Sequence, residues 1–248
     1  MLLKDILTVL DSIAPFETAE EWDNVGLMVG DSGSEVRSIL VALDPSIEVI
    51  KAAKGTDIDL ILTHHPLMLH PIRYLDLHEG VSKKIALLIE SRINLVSMHT
   101  NLDNAPGGVA DELASSLGLK DVRPFGALRI GTIGTHKPLD GWLKSLPIRN
   151  AHIIDAGRDV CMVGACPGSG MEYWYQAWQR GCDTFVTGDV RYHAAYDALD
   201  AGLNVVGLGH FSTEEIIIRP LAEKLKQRLK GLNVRAHTTS DIFSYYHQ

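Results

Sequence analysis

The 248-residue chain is poor in cysteine, in long apolar runs and in positive charge, and each shortage excludes a class of protein. Its three cysteines, Cys161, Cys166 and Cys182, are an odd and sparse set, which argues against a disulfide framework and suits a reducing compartment. No uninterrupted apolar stretch approaches the length that spans a bilayer. Asp5 stands where the apolar part of a signal peptide would run. These features predict a cytoplasmic protein that does not enter the membrane.

The charge balance is acidic, with 23 Lys and Arg against 31 Asp and Glu and a formal net charge of -8. Such a balance disfavours nonspecific binding to nucleic acid or to an anionic membrane, although a local basic patch remains open. The hydrophobic fraction of 46% is typical of a globular core. The length fits one large domain or two lobes.

Apolar runs typical of buried strands alternate with helical patterns along the chain. The first half contains three such runs, at residues 39–43, 60–62 and 95–98. The second half repeats the order, at residues 160–165, 184–187 and 204–208. This parallel predicts an α/β fold of two similar lobes, with a site in the cleft between them.

We place the two lobes at residues 1–125 and 126–248, and leave open whether they are interlinked. The stretch from Pro124 to Pro147 is the predicted junction, because it is rich in glycine and proline.

Histidines and acids follow these predicted strands. Four segments share this placement: 63–66 (THHP), 99–103 (HTNLD), 188–193 (GDVRYH) and 209–214 (GHFSTE). The carboxyl ends of parallel strands are where α/β proteins build ligand sites. Imidazoles and carboxylates together suit first-row metals such as Zn, Fe or Mn. The four segments therefore predict a converging site with more than one metal.

His64 and His65 are adjacent, so a regular strand would point them in opposite directions. At a strand end the chain can turn and bring both imidazoles to one cavity. Pro66 favours an extended backbone at His65, which fits a position at the rim. The alternative is two unrelated polar residues in a loop.

His210 and Glu214 are four residues apart at the predicted start of a helix, which places them on one helical face. This spacing is one by which a helix can grip a metal. In the alternative interpretation, Ser212 or Thr213 caps the helix and Glu214 complements its dipole.

Asp103 is a candidate metal ligand that could instead be a turn former ahead of Pro106. Asp189 and His193 could orient other groups, shuttle a proton, or be a cap beside an exposed imidazole. His99 is a similar case. The turn from Gly168 to Gly170 could cradle an anion, but it lacks the Lys of a phosphate-binding loop.

Five motifs in order carry a resemblance to a known family: residues 22–27 (WDNVGL), 63–66, 99–103, 188–193 and 209–214. The chain resembles the Nif-three-like proteins, also called GTP cyclohydrolase I type 2 homologues, in their short form without an inserted domain. The resemblance runs nearly end to end. It implies a dinuclear metal centre between two similar α/β lobes, within a homohexameric ring.

By this resemblance, His65 and Asp103 are expected to bind one divalent ion, His64 and His210 the other, and Glu214 to bridge both. The ions are expected to be Fe, Zn or Mn.

Two functions follow as hypotheses. The first is a metal-dependent hydrolase of a nucleotide-like substrate, opening the guanine ring as a GTP cyclohydrolase does, with His193 or His99 as the proton shuttle. The second is a non-enzymatic, metal-stabilised ring that acts as a scaffold, a regulator or a nucleic-acid clamp. The acidic balance counts against the clamp.

Overall fold

The computed structural model describes residues 1–147 and 150–244, which form two units, each built around its own sheet. The first unit comprises Met1–Ala105 and Ile217–Ile242, and the second contains Pro106–Ile216. Within the described ranges, none of the helices combines the length and the hydropathy that crossing a bilayer requires.

The first unit is a five-stranded sheet with helices. In chain order its elements are α1 (Leu3–Ile13), β1 (Gly26–Val29), β2 (Ser38–Ala42), α2 (Ile47–Ala53), β3 (Leu60–Thr63), α3 (Gly80–Ser91), β4 (Asn94–Ser97), α4 (Thr100–Asn104), α10 (Ile218–Arg228) and β11 (Asn233–Ala236). The strand order is β1-β4-β3-β2-β11. All pairs are parallel except that of β1 with β4. Every residue of β2, β3 and β4 is buried, as expected for parallel strands covered on both faces.

The second unit is a six-stranded mixed sheet. Its elements are α5 (Val109–Ser116), β5 (Lys120–Phe125), β6 (Leu128–Lys137), α6 (Leu139–Leu143), β7 (His152–Ile154), β8 (Val160–Cys166), α7 (Trp174–Gln179), β9 (Thr184–Thr187), α8 (Tyr192–Asp200), β10 (Asn204–Gly207) and α9 (His210–Glu214). The strand order is β5-β6-β8-β9-β10-β7, in which β8, β9 and β10 run parallel.

The two units share one topological core. In the first, β2, β3 and β4 are three consecutive parallel strands, and β1 closes the edge antiparallel to β4. In the second, β8, β9 and β10 repeat this order, and β7 closes the edge antiparallel to β10. A helix of five residues follows the third parallel strand in both units, α4 in one and α9 in the other. The predicted pair of similar α/β lobes is thus present.

The units do not divide the chain at residue 125, as the sequence analysis places the boundary. Residues 106–125 belong to the second unit, because β5 pairs with β6. Residues 217–242 return to the first unit, because β11 pairs in parallel with β2. The lobes are therefore interlinked.

The predicted junction at residues 124–147 is instead part of the second unit and contains β6, its longest strand. Gly131 in β6 is a packing requirement, since a Cβ there would lie 2.8 Å from the carbonyl oxygen of Lys120. Glycine in a strand marks such close approaches as often as it marks a break.

The local sequence explains where two of the helices begin. Ser46 caps α2 by accepting a hydrogen bond from the backbone N–H of Val49 at 3.1 Å. The α-helix predicted to begin near Glu214 is interrupted, however, since α9 ends at Glu214, a 3-10 turn spans Glu215–Ile217 and α10 begins at Ile218. Pro220 explains the break, because a proline lacks the N–H that an uninterrupted helix would need and is tolerated in a first turn.

Candidate metal centre

The three central strands of the first unit end at one level. Ala42 of β2 is paired with Thr63 of β3, which is paired with Ser97 of β4. The residues two positions further on are therefore neighbours at the sheet edge: Asp44, His65 and His99. Because of this register, three segments that are far apart in the sequence lie side by side at one edge of the sheet.

Three imidazoles meet at this edge. The ring of His64 lies 5.0 Å from that of His65 and 5.2 Å from that of His99, between centroids, and His65 and His99 are 5.7 Å apart. One ring nitrogen of each lies within 4.8 Å of the others. The His64 side chain is buried, and those of His65 and His99 are 19% and 16% exposed. The cluster can hold a metal ion and is reachable from solvent.

Nδ1 of each of these imidazoles lies within hydrogen-bonding distance of an oxygen. His64 Nδ1 is 2.9 Å from the carbonyl oxygen of Met98. His65 Nδ1 is 2.8 Å from Oδ1 of Asp44, and His99 Nδ1 is 2.8 Å from Oδ1 of Asp23. A carbonyl or carboxylate oxygen accepts, so Nδ1 carries the proton and the neutral ring presents the lone pair of Nε2. This is the usual arrangement of a histidine that binds a metal.

Asp103 lies on α4 beside this cluster. Its Oδ1 is 3.6 Å from Nε2 of His64, and its side chain is 13% exposed. The backbone N–H of Asp103 donates to the carbonyl oxygen of His99, so Asp103 belongs to the helix and is not a turn former. The carboxylate is therefore next to the imidazoles.

Asp23 holds this region together through a carboxylate that is wholly buried. Besides His99, it accepts hydrogen bonds from the backbone N–H of Thr100 at 3.0 Å and from the Thr100 hydroxyl at 2.5 Å. Burial raises the pKa of Asp23, but these hydrogen bonds outweigh burial and bring the pKa down to about 2. Asp23 therefore stays ionised and fixes both His99 and the start of α4.

The second unit repeats the level strand ends with different side chains. Cys166 of β8 is paired with Thr187 of β9, which is paired with Gly207 of β10. Just beyond them, His210 opens α9 and Glu214 ends it, so both lie on one helical face as predicted. Nε2 of His210 is 3.1 Å from Oε2 of Glu214.

Asp189 orients His210, which agrees with one of the roles considered for it. Its Oδ2 lies 2.7 Å from Nδ1 of His210 and accepts a hydrogen bond from the Ser169 hydroxyl at 2.7 Å. The hydrogen bond to Glu214, its negative charge and the Asp189 carboxylate together raise the pKa of His210 to about 9, against the effect of burial. Without a metal, His210 is therefore an imidazolium near neutral pH.

Gly168 makes room for the Glu214 carboxylate. Its φ of +56° is left-handed, and a Cβ at this position would collide with Oε1 of Glu214. The Gly168 N–H donates to the Thr213 hydroxyl at 3.0 Å. At Gly168, therefore, the anion cradle considered from the sequence is not formed, because that N–H is occupied and the Glu214 carboxylate fills the space beside it. Thr213 does not cap α9 either, since the cap position is Gly209.

The two candidate proton shuttles differ in their surroundings. His99 lies inside the imidazole cluster. His193 is exposed on α8, with its ring edge-to-face to Tyr192 at 5.5 Å. Among the described residues, His193 does not belong to a group of His, Cys, Asp and Glu atoms close enough to share an ion.

Sequence reasoning missed the acids that hold the imidazoles of the first unit. Asp44 follows the end of β2 by the same two-residue interval as His65 follows β3 and His99 follows β4, so the rule of polar residues at strand ends could have found it. Asp23 lies in the segment at residues 22–27 that is shared with the family, to which the sequence analysis gives no chemistry.

Comparisons with known proteins agree with this architecture. A protein of Clostridium perfringens named as a GTP cyclohydrolase 1 type 2 homolog is 36% identical over 243 residues, covering 92% of this chain and 93% of the relative. A protein of the same name from Methanocaldococcus jannaschii is 32% identical over 241 residues, covering 92% and 96%. The close match in length confirms the short form.

Solved structures share the fold along the whole chain. The structure of Staphylococcus aureus protein SA1388 matches with a TM-score of 0.91 and 29% identity, covering 99% of both chains. Reduced HcgD from Methanocaldococcus jannaschii matches with a TM-score of 0.84 and 31% identity, covering 95% of this chain and 97% of that one. The sequence profile of Duf34/NIF3 (NGG1p interacting factor 3) matches residues 1–242. The resemblance seen in the motifs is confirmed, and the chain belongs to the Duf34/NIF3 family.

Proposed function

We propose that this protein binds two divalent first-row metal ions and uses them to hydrolyse a nucleotide-like substrate. The observation that carries the proposal is the way in which the histidines are held. In both units, Nδ1 of an imidazole beyond a strand end is hydrogen-bonded to a carboxylate. His65 is bonded to Asp44 in the first unit, and His210 is bonded to Asp189 in the second. A metal-binding histidine almost always donates its other ring N–H to such an oxygen, which fixes the ring and leaves Nε2 for the metal.

The residues fit such ions in chemistry as well as in number. The proposed ligands are three imidazoles and two carboxylates: His64, His65, Asp103, His210 and Glu214. Nitrogen and oxygen donors of this kind suit Fe, Zn or Mn and leave the choice to geometry and supply. We assign His65 and Asp103 to one ion, His64 and His210 to the other, and Glu214 to both. In this proposal, the two units contribute together to a dinuclear site in the cleft between them.

A pair of divalent ions would lower the pKa of a shared water and stabilise negative charge that develops on the substrate. The protein's own groups supply the orientation. Asp44 and Asp189 hold their imidazoles in the Nδ1–H form, and Asp23 does so for His99. We retain His99 and His193 as the candidate groups that carry a proton to or from the substrate.

The substrate class follows from the names of the relatives, several of which are called GTP cyclohydrolase 1 type 2 homologs. We propose guanine-ring hydrolysis as the reaction. One water adds at C8 and opens the imidazole ring, and a second releases C8 as formate. The ring-opened product retains both ring nitrogens as amines, so the reaction needs no oxidant.

We further propose that the protein is a homohexameric ring in the cytoplasm, where its three cysteines stay reduced. A closed ring should have one discrete size, because closed symmetry leaves no free interface for further growth. Light scattering across a range of concentrations tests this. A monomer that does not change with concentration would contradict it.

The function is tested on protein purified without oxygen or chelator. Formate release and the ultraviolet change on ring opening are followed with GTP, using the native ions and then Mn, Fe and Zn in turn. We expect His65→Ala to abolish turnover and His78→Ala, an exposed loop histidine, to leave it unchanged. A protein with both ions bound and no formate above a metal-free control would refute the hydrolysis and favour the scaffold.

A further inference from the structure

We propose that Trp22 is a stacking platform for a planar, N–H-bearing heteroaromatic ring of the guanine type, next to the histidine cluster that His99 belongs to. The inference rests on the proposed function for its choice of ring. It assigns a role to a residue that neither the ligand set nor the proton shuttles include.

Trp22 is exposed where a tryptophan is expected to be covered. Trp22 is 58% accessible, compared with 40% for Trp178 and 2% for Trp142. Tryptophan is highly buried on average, so an indole that is more than half accessible beside a polar cluster leaves apolar surface that a ligand ring can cover.

The backbone beneath Trp22 is fixed on both sides, so the exposure does not come from a loose loop. The backbone N–H of Glu20 donates to the Thr100 hydroxyl at 2.9 Å. Asn24 Nδ2 donates to the carbonyl oxygen of Met68 at 2.8 Å, and the Ser97 hydroxyl donates to the carbonyl oxygen of Asn24 at 3.3 Å. A ring presented on an anchored segment loses little conformational entropy when it binds a ligand.

The indole adjoins the site directly. Its centroid is 6.0 Å from that of His99, at an interplanar angle of 82°. His99 in turn lies 5.2 Å from His64 and 5.7 Å from His65. A ligand ring stacked on Trp22 would thus lie beside His99, which is itself part of the cluster.

The neighbouring charges select the part of the ligand that binds here. Glu20 and Glu21 precede Trp22 and are both exposed. Their carboxylates repel a phosphate but accept hydrogen bonds from the N–H groups of a guanine-like ring. The platform therefore favours the base of a nucleotide over its phosphate.

The experiment measures ligand binding by calorimetry on the metal-replete protein. Guanosine supplies the ring without phosphate, and ribose 5-phosphate supplies the phosphate without the ring. The variants are Trp22→Ala, Trp22→Phe and Tyr175→Ala, the last a half-exposed aromatic on α7 that serves as the matched control. Metal content is measured for every variant.

We expect Trp22→Ala to weaken guanosine binding by about 5- to 150-fold, the range typical of lost base stacking. Trp22→Phe should recover most of this affinity, and Tyr175→Ala should leave it unchanged. Ribose 5-phosphate binding should not depend on Trp22.

Equal guanosine affinity in Trp22→Ala and the unchanged protein would overturn the inference, as would no guanosine binding with both ions present. Loss of metal from Trp22→Ala would also overturn it, because Trp22 would then support the cluster. Trp22-dependent guanosine binding without formate release would leave the platform standing and refute the hydrolysis alone.

Discussion

The two units carry different chemistry on the same arrangement of strands. Beyond β2, β3 and β4, the first unit places Asp44, His65 and His99, and beyond β8, β9 and β10 the second places Gly168, Asp189 and Gly209. Each unit pairs an imidazole with an acid from a neighbouring strand. The first concentrates imidazoles, whereas in the second a glycine, Gly168, makes room for one carboxylate, that of Glu214.

This difference indicates that the two units, although similar in architecture, contribute different ligands to the proposed site. The first unit supplies three of the five proposed ligands, in a cluster that is already assembled by hydrogen bonds. The second supplies a His–Glu pair held together by charge, with the pKa of His210 raised to about 9. On this assignment, loss of Glu214 should affect both ions, whereas loss of a ligand that serves one ion, such as Asp103, should affect one.

Glu214→Gln should produce the largest effect. A bridging carboxylate serves both ions, so its loss should weaken both by more than about 100-fold, which exceeds the effect usual for supporting residues. Asp103→Asn in the first unit should release only one ion. Elemental analysis after dialysis measures both.

Glu223→Gln is the control for this experiment, because Glu223 is an exposed acid on α10 in an ion pair with Lys226. A Glu214→Gln protein that retains both ions at full affinity would remove the bridging role and, with it, the asymmetry between the units.

Gly168→Ala should destabilise the second unit by about 2–5 kcal/mol, because left-handed strain adds to the collision with Glu214. Gly181→Ala is the matched control, since its φ is +82° but a Cβ would meet no atom within 4 Å. It should cost about 1–2 kcal/mol from strain alone. Urea denaturation of the metal-free proteins measures the free energy of unfolding of both variants. Equal losses of stability would show that Gly168 does not make space for Glu214.

Asp44→Asn and Asp189→Asn should each weaken metal binding by about 10- to 100-fold, the usual consequence of losing the acid that orients a ligating histidine. We expect Asp44→Asn to affect the ion bound by His65, and Asp189→Asn the ion bound by His210. Titration with Zn or Mn at fixed pH measures both affinities. Unchanged affinity in both variants would mean that these acids support the fold alone.

The smallest effect is a pH dependence confined to the second unit. The pKa of His210 is raised from about 6.5 to about 9, chiefly by Glu214, so its charge stabilises the metal-free fold fully below pH 6.5. That contribution should disappear as the pH rises through 9. Histidine NMR of chelated protein follows the titration, and Asp189→Asn should lower the midpoint.

Metal binding should also release protons near neutral pH, because the His210 imidazolium must become neutral to act as a ligand. Calorimetry of metal uptake in buffers of different ionisation heats gives their number. A His210 resonance that titrates near pH 6.5 in the chelated protein would contradict the charge pair with Glu214.

Many of the features compared here can be predicted from the sequence, because they depend on short-range patterns. The buried runs predict the parallel strands, and polar residues just after them predict His64, His65, His210 and Glu214 as neighbours of the strand ends. Ser46 and its helix follow from capping alone.

What the sequence could not reveal depends on long-range pairing. The return of β11 to lie beside β2 joins residues nearly 200 positions apart, which no local pattern indicates. The glycine and proline content of residues 124–147 predicts a junction, whereas Gly131 lies inside strand β6 and allows the close approach of Lys120. Asp23 becomes important only once the fold places it against His99 and Thr100.

The central claim is most directly tested by counting metals in the protein purified without oxygen or chelator. Elemental analysis should find about two first-row ions per chain, and the count should fall towards zero in Glu214→Gln while remaining at two in Glu223→Gln. A chain that binds no such ion after reconstitution with Fe, Zn and Mn, or a Glu214→Gln protein that still holds two, would contradict the account.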